Sequence, residues 1–380
     1  MMIQGAPVVL GGKKKSNVPA FAYTGKYNVR DDDVVELLES GEITFVEDGV
    51  IDLFMVGGGG SGWTQSVSDF NGYGGGGGGY TRTVKRLNVQ ANAQIPVTIG
   101  AGGIYSTASG SGKGSNGDSS GFNTLTVNGG IHGSGYNGGA GGSGGGAGVA
   151  SNSDYGAGGS DGSNGEAGDT GTKHGGVGQG FTTREFGEAG GKLYAGGGGG
   201  GRYMVAQTPV VSMGGAGGGG SGAWVGSNGT AQQAAAAGVA NTGGGGGGGA
   251  IYPNHSVNAA SGGSGIVCFR DAAELPELAG TWVLNERLYY PESELNETFN
   301  FTAITSTGST QNCTRWRVRN LDGTKEMRFY FTDGGSNEIY NFNTNAWNST
   351  YKYKTITFPA GATASDQFRA WLASNATKQS

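Results

Sequence analysis

His132, His174 and His255 are the only imidazoles in the 380-residue chain, and each stands alone in glycine- or asparagine-rich sequence. A metal centre or proton relay needs such rings beside carboxylates or thiols at a set spacing, so these three read as loop residues. The stretch Gly110-Ser-Gly-Lys-Gly-Ser115 imitates a phosphate-binding loop. No Ser or Thr directly follows Lys113, however, and no strand-to-helix context surrounds it. Asp154, Asp161, Glu166 and Asp169 space oxygen ligands along a glycine-rich segment, as a calcium loop would. Neither the EF-hand spacing nor a repeated nonapeptide is present, so a solvated acidic loop is the simpler reading and no metal is assigned. No carboxylate pair stands out for polysaccharide hydrolysis. The expectation is a non-enzymatic protein with no catalytic residue and no cofactor.

Aromatic residues are the informative side chains. Trp63, Phe70, Tyr73, Tyr155, Phe181 and Trp224 fall between glycine runs that offer few apolar pockets. Aromatics on rigidly held loops supply contact area at low entropy cost, so these six are expected to bind a receptor. The alternative is that they pack on one another and close the end of the glycine region. Near the C-terminus, Tyr340, Trp347 and Tyr351 flank Asn-rich turns and suit sugar stacking, whereas Trp282, Tyr289, Trp316, Tyr330 and Trp371 suit a core.

The elements that must position these residues are unusual. Of 84 glycines, 72 lie between residues 57 and 265. Six main runs stand out: 57–60, 74–79, 138–148 (broken by Ala140, Ser143 and Ala147), 196–201, 214–220 (broken by Ala216) and 243–249. Flexible linkers are usually rich in serine, and these runs are not. Collagen needs a strict triplet and abundant proline, and the chain has 8 prolines. The remaining ordered option is a polyglycine II helix bundle, in which every buried N–H and C=O finds a partner on a neighbouring helix. Absence of Cβ lets the backbones approach closely.

The fold class expected is therefore mainly β plus such a bundle: a β-layer spliced with about six antiparallel-running glycine helices, then a small β-rich C-terminal domain with one terminal helix. The domains are an N-terminal arm (1–20), a mixed β and glycine-rich domain (21–270), a linker (271–280) and the C-terminal domain (281–380). Strand patterns occur at 21–27, 42–46, 50–56, 80–89, 94–99, 124–127 and 265–270, with Asp48–Gly49 as a hairpin dipeptide. If successive runs go out and back, residues 61–73, 149–195 and 221–242 share a far end, and 80–128, 202–213 and 250–261 lie beside the β-layer. Ser365 is a helix N-cap, with Phe368, Trp371 and Leu372 as an apolar face. Cys268 and Cys313 are expected to be free thiols. Net charge is −5, with no basic stripe for nucleic acid and no apolar run long enough for membrane insertion. No signal-peptide pattern opens the sequence.

Several segments carry a family resemblance. Tyr23-Thr-Gly-Lys-Tyr-Asn-Val29, Ser40-Gly-Glu-Ile-Thr-Phe45 and Ile51-Asp-Leu-Phe-Met-Val-Gly-Gly-Gly-Gly60 resemble the start of the glycine-rich domain of phage tail and tail-fibre proteins. Ile95-Pro-Val-Thr-Ile-Gly-Ala-Gly-Gly103 and Gly262-Gly-Ser-Gly-Ile-Val-Cys-Phe-Arg270 look like its internal and closing signatures. Tyr353-Lys-Thr-Ile-Thr-Phe358 and Trp371-Leu-Ala-Ser-Asn-Ala-Thr-Lys-Gln379 resemble a small terminal module of similar gut-phage proteins. The resemblance implies a virion tail component, made in the host cytoplasm. Similarity to polyglycine-sandwich adhesins implies host attachment through loops at one end. The partners implied are a bacterial surface receptor (a glycan or an outer protein) and other phage tail proteins, with a homotrimer as one arrangement open to it. The rival is a passive scaffold or baseplate component whose C-terminal domain mediates assembly or glycan binding.

Overall fold

The computed structural model describes residues 18–65, 71–106, 114–148, 164–165, 182–203, 211–226, 232–252 and 255–272. Beyond them it describes residues 275, 277 and 279, the strands between 280 and 358, and residues 369, 372–374 and 376–379. The chain divides into two compact units, Met1–Ala272 and Ala273–Ser380.

In chain order the first unit forms β1 (Phe21–Tyr23), β2 (Tyr27–Val29), β3 (Val35–Leu37), β4 (Gly41–Phe45), β5 (Gly49–Val56), β6 (Asn71–Gly72), β7 (Thr81–Val89) and β8 (Gln94–Thr98). It continues with β9 (Ser120–Phe122), β10 (Leu125–Val127), β11 (Arg202–Tyr203), β12 (Trp224–Val225), β13 (Gln232–Gln233), β14 (Ala250–Tyr252), β15 (His255–Val257) and β16 (Ile266–Asp271). Two five-stranded sheets, ordered β1-β4-β8-β9-β10 and β2-β3-β16-β5-β7, share one apolar core. Alternation along the strands builds it. Ile51, Leu53 and Met55 of β5 join Val267 and Phe269 of β16 and Ile43 and Phe45 of β4. Phe269 meets Phe45 and Phe21 edge-on, with ring centroids 5.6 and 5.3 Å apart.

Asp48–Gly49 does not make the expected hairpin. β4 and β5 belong to different sheets, and the Asp48 carboxylate instead accepts the amide of Ala91 at 2.7 Å. Turn chemistry marks the reversal, but burial of both strands' apolar faces in one core decides which sheet each enters.

The expected polyglycine helix bundle is also corrected. Regular structure among the described residues is sheet, mostly antiparallel and open, with one short 3-10 turn at Glu185–Gly187 and a few helical residues near the C-terminus. The glycine runs carry no helical assignment. They are segments bonded sideways, each to several neighbours. Amides of Gly57, Gly60 and Trp63 donate to Tyr80, Gly77 and Gly74; those of Gly58 and Ser61 donate to Asp118 and Ser115; those of Gly59 and Gly62 donate to Gly263 and Ala260. Nor do six runs account for them. Runs 138–148 and 214–220 each divide into two bonded segments, 137–140 with 143–148 and 212–215 with 219–222. Residues 234–239 and 258–263, which mix glycine with Ala, Ser, Asn or Val, join the same bonding. A search for pure glycine overlooks such segments, because only the backbone takes part.

The second unit contains β17 (Gly280–Leu284), β18 (Leu288–Tyr289), β19 (Phe299–Asn300), β20 (Cys313–Arg319), β21 (Glu326–Thr332), β22 (Glu338–Asn341), β23 (Tyr351–Lys352), β24 (Thr355–Phe358) and β25 (Ala376–Lys378). These form sheets β19-β24-β17-β25, β18-β23 and β20-β21-β22. Trp282 is buried, with the Lys378 ammonium 5.7 Å from its ring centroid. Of the expected terminal helix, Arg369 and residues 372–374 are helical and Leu372 is buried; Ser365, Phe368 and Trp371 lie outside the described residues.

Candidate recognition surface

Direction along the glycine segments follows from their hydrogen bonds. Gly57, Gly79, Gly243 and Ala195 lie beside the two sheets: Gly79 donates to Gly243, Ala195 to Thr242, and Gly57 follows β5. Trp63, Tyr73, Gly201 and Gly249 lie at the other end, where Tyr73 donates to Gly249 and Gly201 to Tyr73. Seven extended residues span at most about 25 Å, so the two ends are well apart.

At this far end, β14 pairs with both β15 and β6, and β11 runs parallel to β12, which pairs with β13. Residues 71–72, 202–203, 224–225, 232–233, 250–252 and 255–257 are thereby gathered together. The out-and-back expectation is corrected here. Residues 202–203, 250–252 and 255–257 share the end with 61–65 and 71–73, whereas 185–195 and 239–242 lie beside the sheets. Asn241 shows the latter directly, donating its side-chain amide to Leu38 O at 2.9 Å and Gly265 O at 3.2 Å.

The six receptor aromatics are distributed unevenly. Tyr73 and Trp224 are 1% exposed and fill the far end instead of facing solvent. Tyr73 stacks on Tyr136 at 5.8 Å. Trp63 is half-buried and stacks on His132, with centroids 5.6 Å apart and planes 20° from parallel. The reason is geometric: a packed set of bare backbones leaves gaps between diverging segment ends, and large flat side chains fill them. Phe70, Tyr155 and Phe181 lie outside the described residues, as do Trp347 and the acidic residues Asp154, Asp161, Glu166 and Asp169. Tyr340 falls in β22 and Tyr351 in β23.

A second concentration of chemistry was not expected. Residues 183–194 double back, with Tyr194 donating to Thr183 O and Glu185 to Lys192 O, and cover the outer face of β3, β16 and β5. Phe186 and Tyr194 pack there on Phe54, Val56, Ile266 and Cys268. Phe186 takes φ 54°, a left-handed conformation that costs a bulky residue energy and is held by its surroundings. Ion pairs ring the contact. Arg30 donates to both Glu185 oxygens at 2.6 and 2.8 Å and to Asp32. Arg270 pairs with Asp52 at 3.2 Å and with Glu188, and Lys85 reaches Asp52 at 3.1 Å and Glu188 at 3.0 Å. A depression of about 740 Å³ lies among these groups.

The electrostatics describe a latch. Burial opposes charge on Glu188, but hydrogen bonds from Arg270 and Lys85 outweigh it and hold its pKa below the ordinary 4.5. The Arg30 hydrogen bond lowers Asp32 in the same way. Burial pushes the Tyr194 hydroxyl up, with Cys268 and Glu185 adding to it; Tyr194 donates to Glu185 at 3.1 Å. Burial likewise raises Cys268 well above the ordinary thiol value. A nucleophilic thiolate needs an accessible, electropositive setting, and this thiol has a buried one facing carboxylates. The signal in the sequence was slight: one charge at an outward position in apolar strands, as in Ile51-Asp52-Leu53. Its partners lie up to 218 residues away.

A family model described as a glycine-rich domain matches residues 39–271. Comparison with curated proteins gives no match. The matched span begins just before β4 and ends on the last residue of β16, taking in all the glycine segments and most of the two sheets. It covers more than half of the sequence, and the chain belongs to the glycine-rich domain family.

Proposed function

We propose that this chain is a non-enzymatic structural protein of a bacteriophage tail fibre or tail tip, which binds a bacterial surface receptor through its far end. One observation carries the reading: segments from at least five separate parts of the sequence end together there, each held by lateral backbone hydrogen bonds. Support of this kind fixes loops at little cost to their own sequence freedom, which suits recognition of a variable receptor. The sequence segments that resemble phage tail proteins supply the setting. Burial of Tyr73 and Trp224 narrows the reading: they support the surface, and Trp63 and the connecting loops meet the receptor.

The experiment replaces residues 66–70 and 227–231, which lie outside the described residues, with Gly/Ser sequences of equal length. Labelled folded protein is then applied to a panel of gut bacterial isolates. Binding to at least one isolate, lost on replacement, is the expected result. Binding that survives both replacements removes the far end from recognition and favours the scaffold alternative, in which the C-terminal unit joins other tail proteins.

A further inference from the structure

We infer that one flank of the glycine region, beside the far end, is a binding site for neutral carbohydrate, formed by Trp63, Tyr105 and His132 with the amides of Asn116 and Asn258. The inference rests on the receptor-binding reading above and names the chemistry of the receptor. Five segments distant in sequence meet here. Ser115 donates its amide to Ser61 Oγ at 3.0 Å, Ile104 to Ser115 Oγ at 2.8 Å, and Gly262 to Gly103 O at 2.9 Å. His132 N donates to Asn116 Oδ1 at 3.1 Å, and Tyr105 OH to Asn258 Oδ1 at 3.2 Å.

What these bonds leave unused is the argument. Each amide spends its oxygen within the protein and keeps its NH2 donors, and both Asn116 and Asn258 are exposed. His132 Nδ1 donates to Gly133 O at 2.5 Å, so Nε2 is the ring nitrogen left for a ligand. Burial raises the Tyr105 hydroxyl, with its hydrogen bond to Thr64 opposing, so it stays protonated. The Trp63 indole N–H is buried and meets no acceptor.

Beside these polar groups stands a flat stack of Trp63 on His132; Ile131, next to His132 in the chain, is 40% exposed, and Ile104, bonded to Ser115, is 66% exposed. A sugar ring presents the complement: a C–H face for aromatic and aliphatic surface and an edge of hydroxyls that both donate and accept. None of the five named side chains carries a fixed charge, so a neutral sugar fits better than an acidic or phosphorylated one.

Full-length protein applied to an array of neutral and acidic oligosaccharides tests this, with calorimetry on the hits. Neutral oligosaccharides are expected to bind. His132→Ala and Asn116→Ala should each weaken binding at least tenfold, with unchanged circular dichroism and melting temperature. Tyr105→Phe removes a single oxygen and guards against misfolding; it should weaken binding severalfold. Absence of neutral sugars among the hits, or binding by all three variants at the wild-type level, overturns the site. Cell attachment lost in the far-end replacements but intact in His132→Ala also overturns it while leaving host recognition standing. Sugar binding through these residues without attachment to any cell upholds the site and removes the reading it serves.

Discussion

The two-sheet sandwich and the glycine segments hold themselves together in opposite ways. In the sandwich, side chains do the packing: Phe45, Leu53, Val267 and Phe269 are fully buried, and the backbone bonds run within each sheet. In the glycine region the backbone is itself the packing material. A Cβ added at Gly76 would meet the Gly60 carbonyl, and one added at Gly198 would meet that of Gly246. The sandwich is thus damaged by taking atoms away, and the glycine region by adding them. Ordering each glycine costs about 1–2 kcal/mol of backbone entropy, more than for other residues. Only bonding of each segment to several neighbours at once offsets such a cost, which makes the region cooperative.

The contrast breaks most readily at Phe269. Phe269→Ala should cost about 3–5 kcal/mol, read by denaturant unfolding. A loss below about 1 kcal/mol would show that the sandwich core is not tightly packed. Gly198→Ala is the converse test. Replacing glycine by alanine stabilises by about 0.4–1 kcal/mol through the unfolded chain where space permits. Here the collision with the Gly246 carbonyl should win, for a net loss of about 1–3 kcal/mol and a lower melting temperature. A melting temperature equal to wild type or above it would mean these backbones are not in contact.

Acid should loosen the cover at 183–194 before the sandwich. Because the Glu188 pKa is lowered in the folded state, its contribution is present above pH 4.5 and is lost as pH falls below that value. With Cys313→Ser in place, reaction of Cys268 with an acid-tolerant dithiodipyridine reagent should accelerate below pH 4.5. Glu188→Gln should flatten that dependence, and an unchanged acid profile in the variant would discount the latch. The smallest effect is expected at Gly190, where an added Cβ meets nothing within 4 Å. Gly190→Ala should change stability by no more than about 0.5 kcal/mol. Paired with Gly198→Ala, it separates crowding from glycine content as such.

Strands with alternating apolar residues were legible: the patterns at 50–56, 80–89, 94–99, 124–127 and 265–270 became β5, β7, β8, β10 and β16. Lateral bonding between glycine segments was legible too, since a buried backbone N–H or C=O needs a partner and an extended segment offers none of its own. Direction was not. Residues 202–203, 250–252 and 255–257 were expected beside the sheets and lie at the opposite end, because return segments such as 212–215 and 234–239 are only partly glycine. Trp63, Tyr73 and Trp224 all lie at the far end, but the half-buried Trp63 could not be told from the two buried rings by sequence. All three are aromatics beside glycine, and exposure depends on which gap each one fills.

By itself, then, the order of residues determined where the backbone would be stripped bare and where apolar alternation would make sheet. Those properties are local, set by the presence or absence of a Cβ and by a period of two. The tertiary structure alone decided which segments lie side by side, that Arg30 meets Glu185 across 155 residues, and that Trp63 stacks on His132. A glycine offers every neighbour the same donor and acceptor, so its sequence carries no information about which partner it takes.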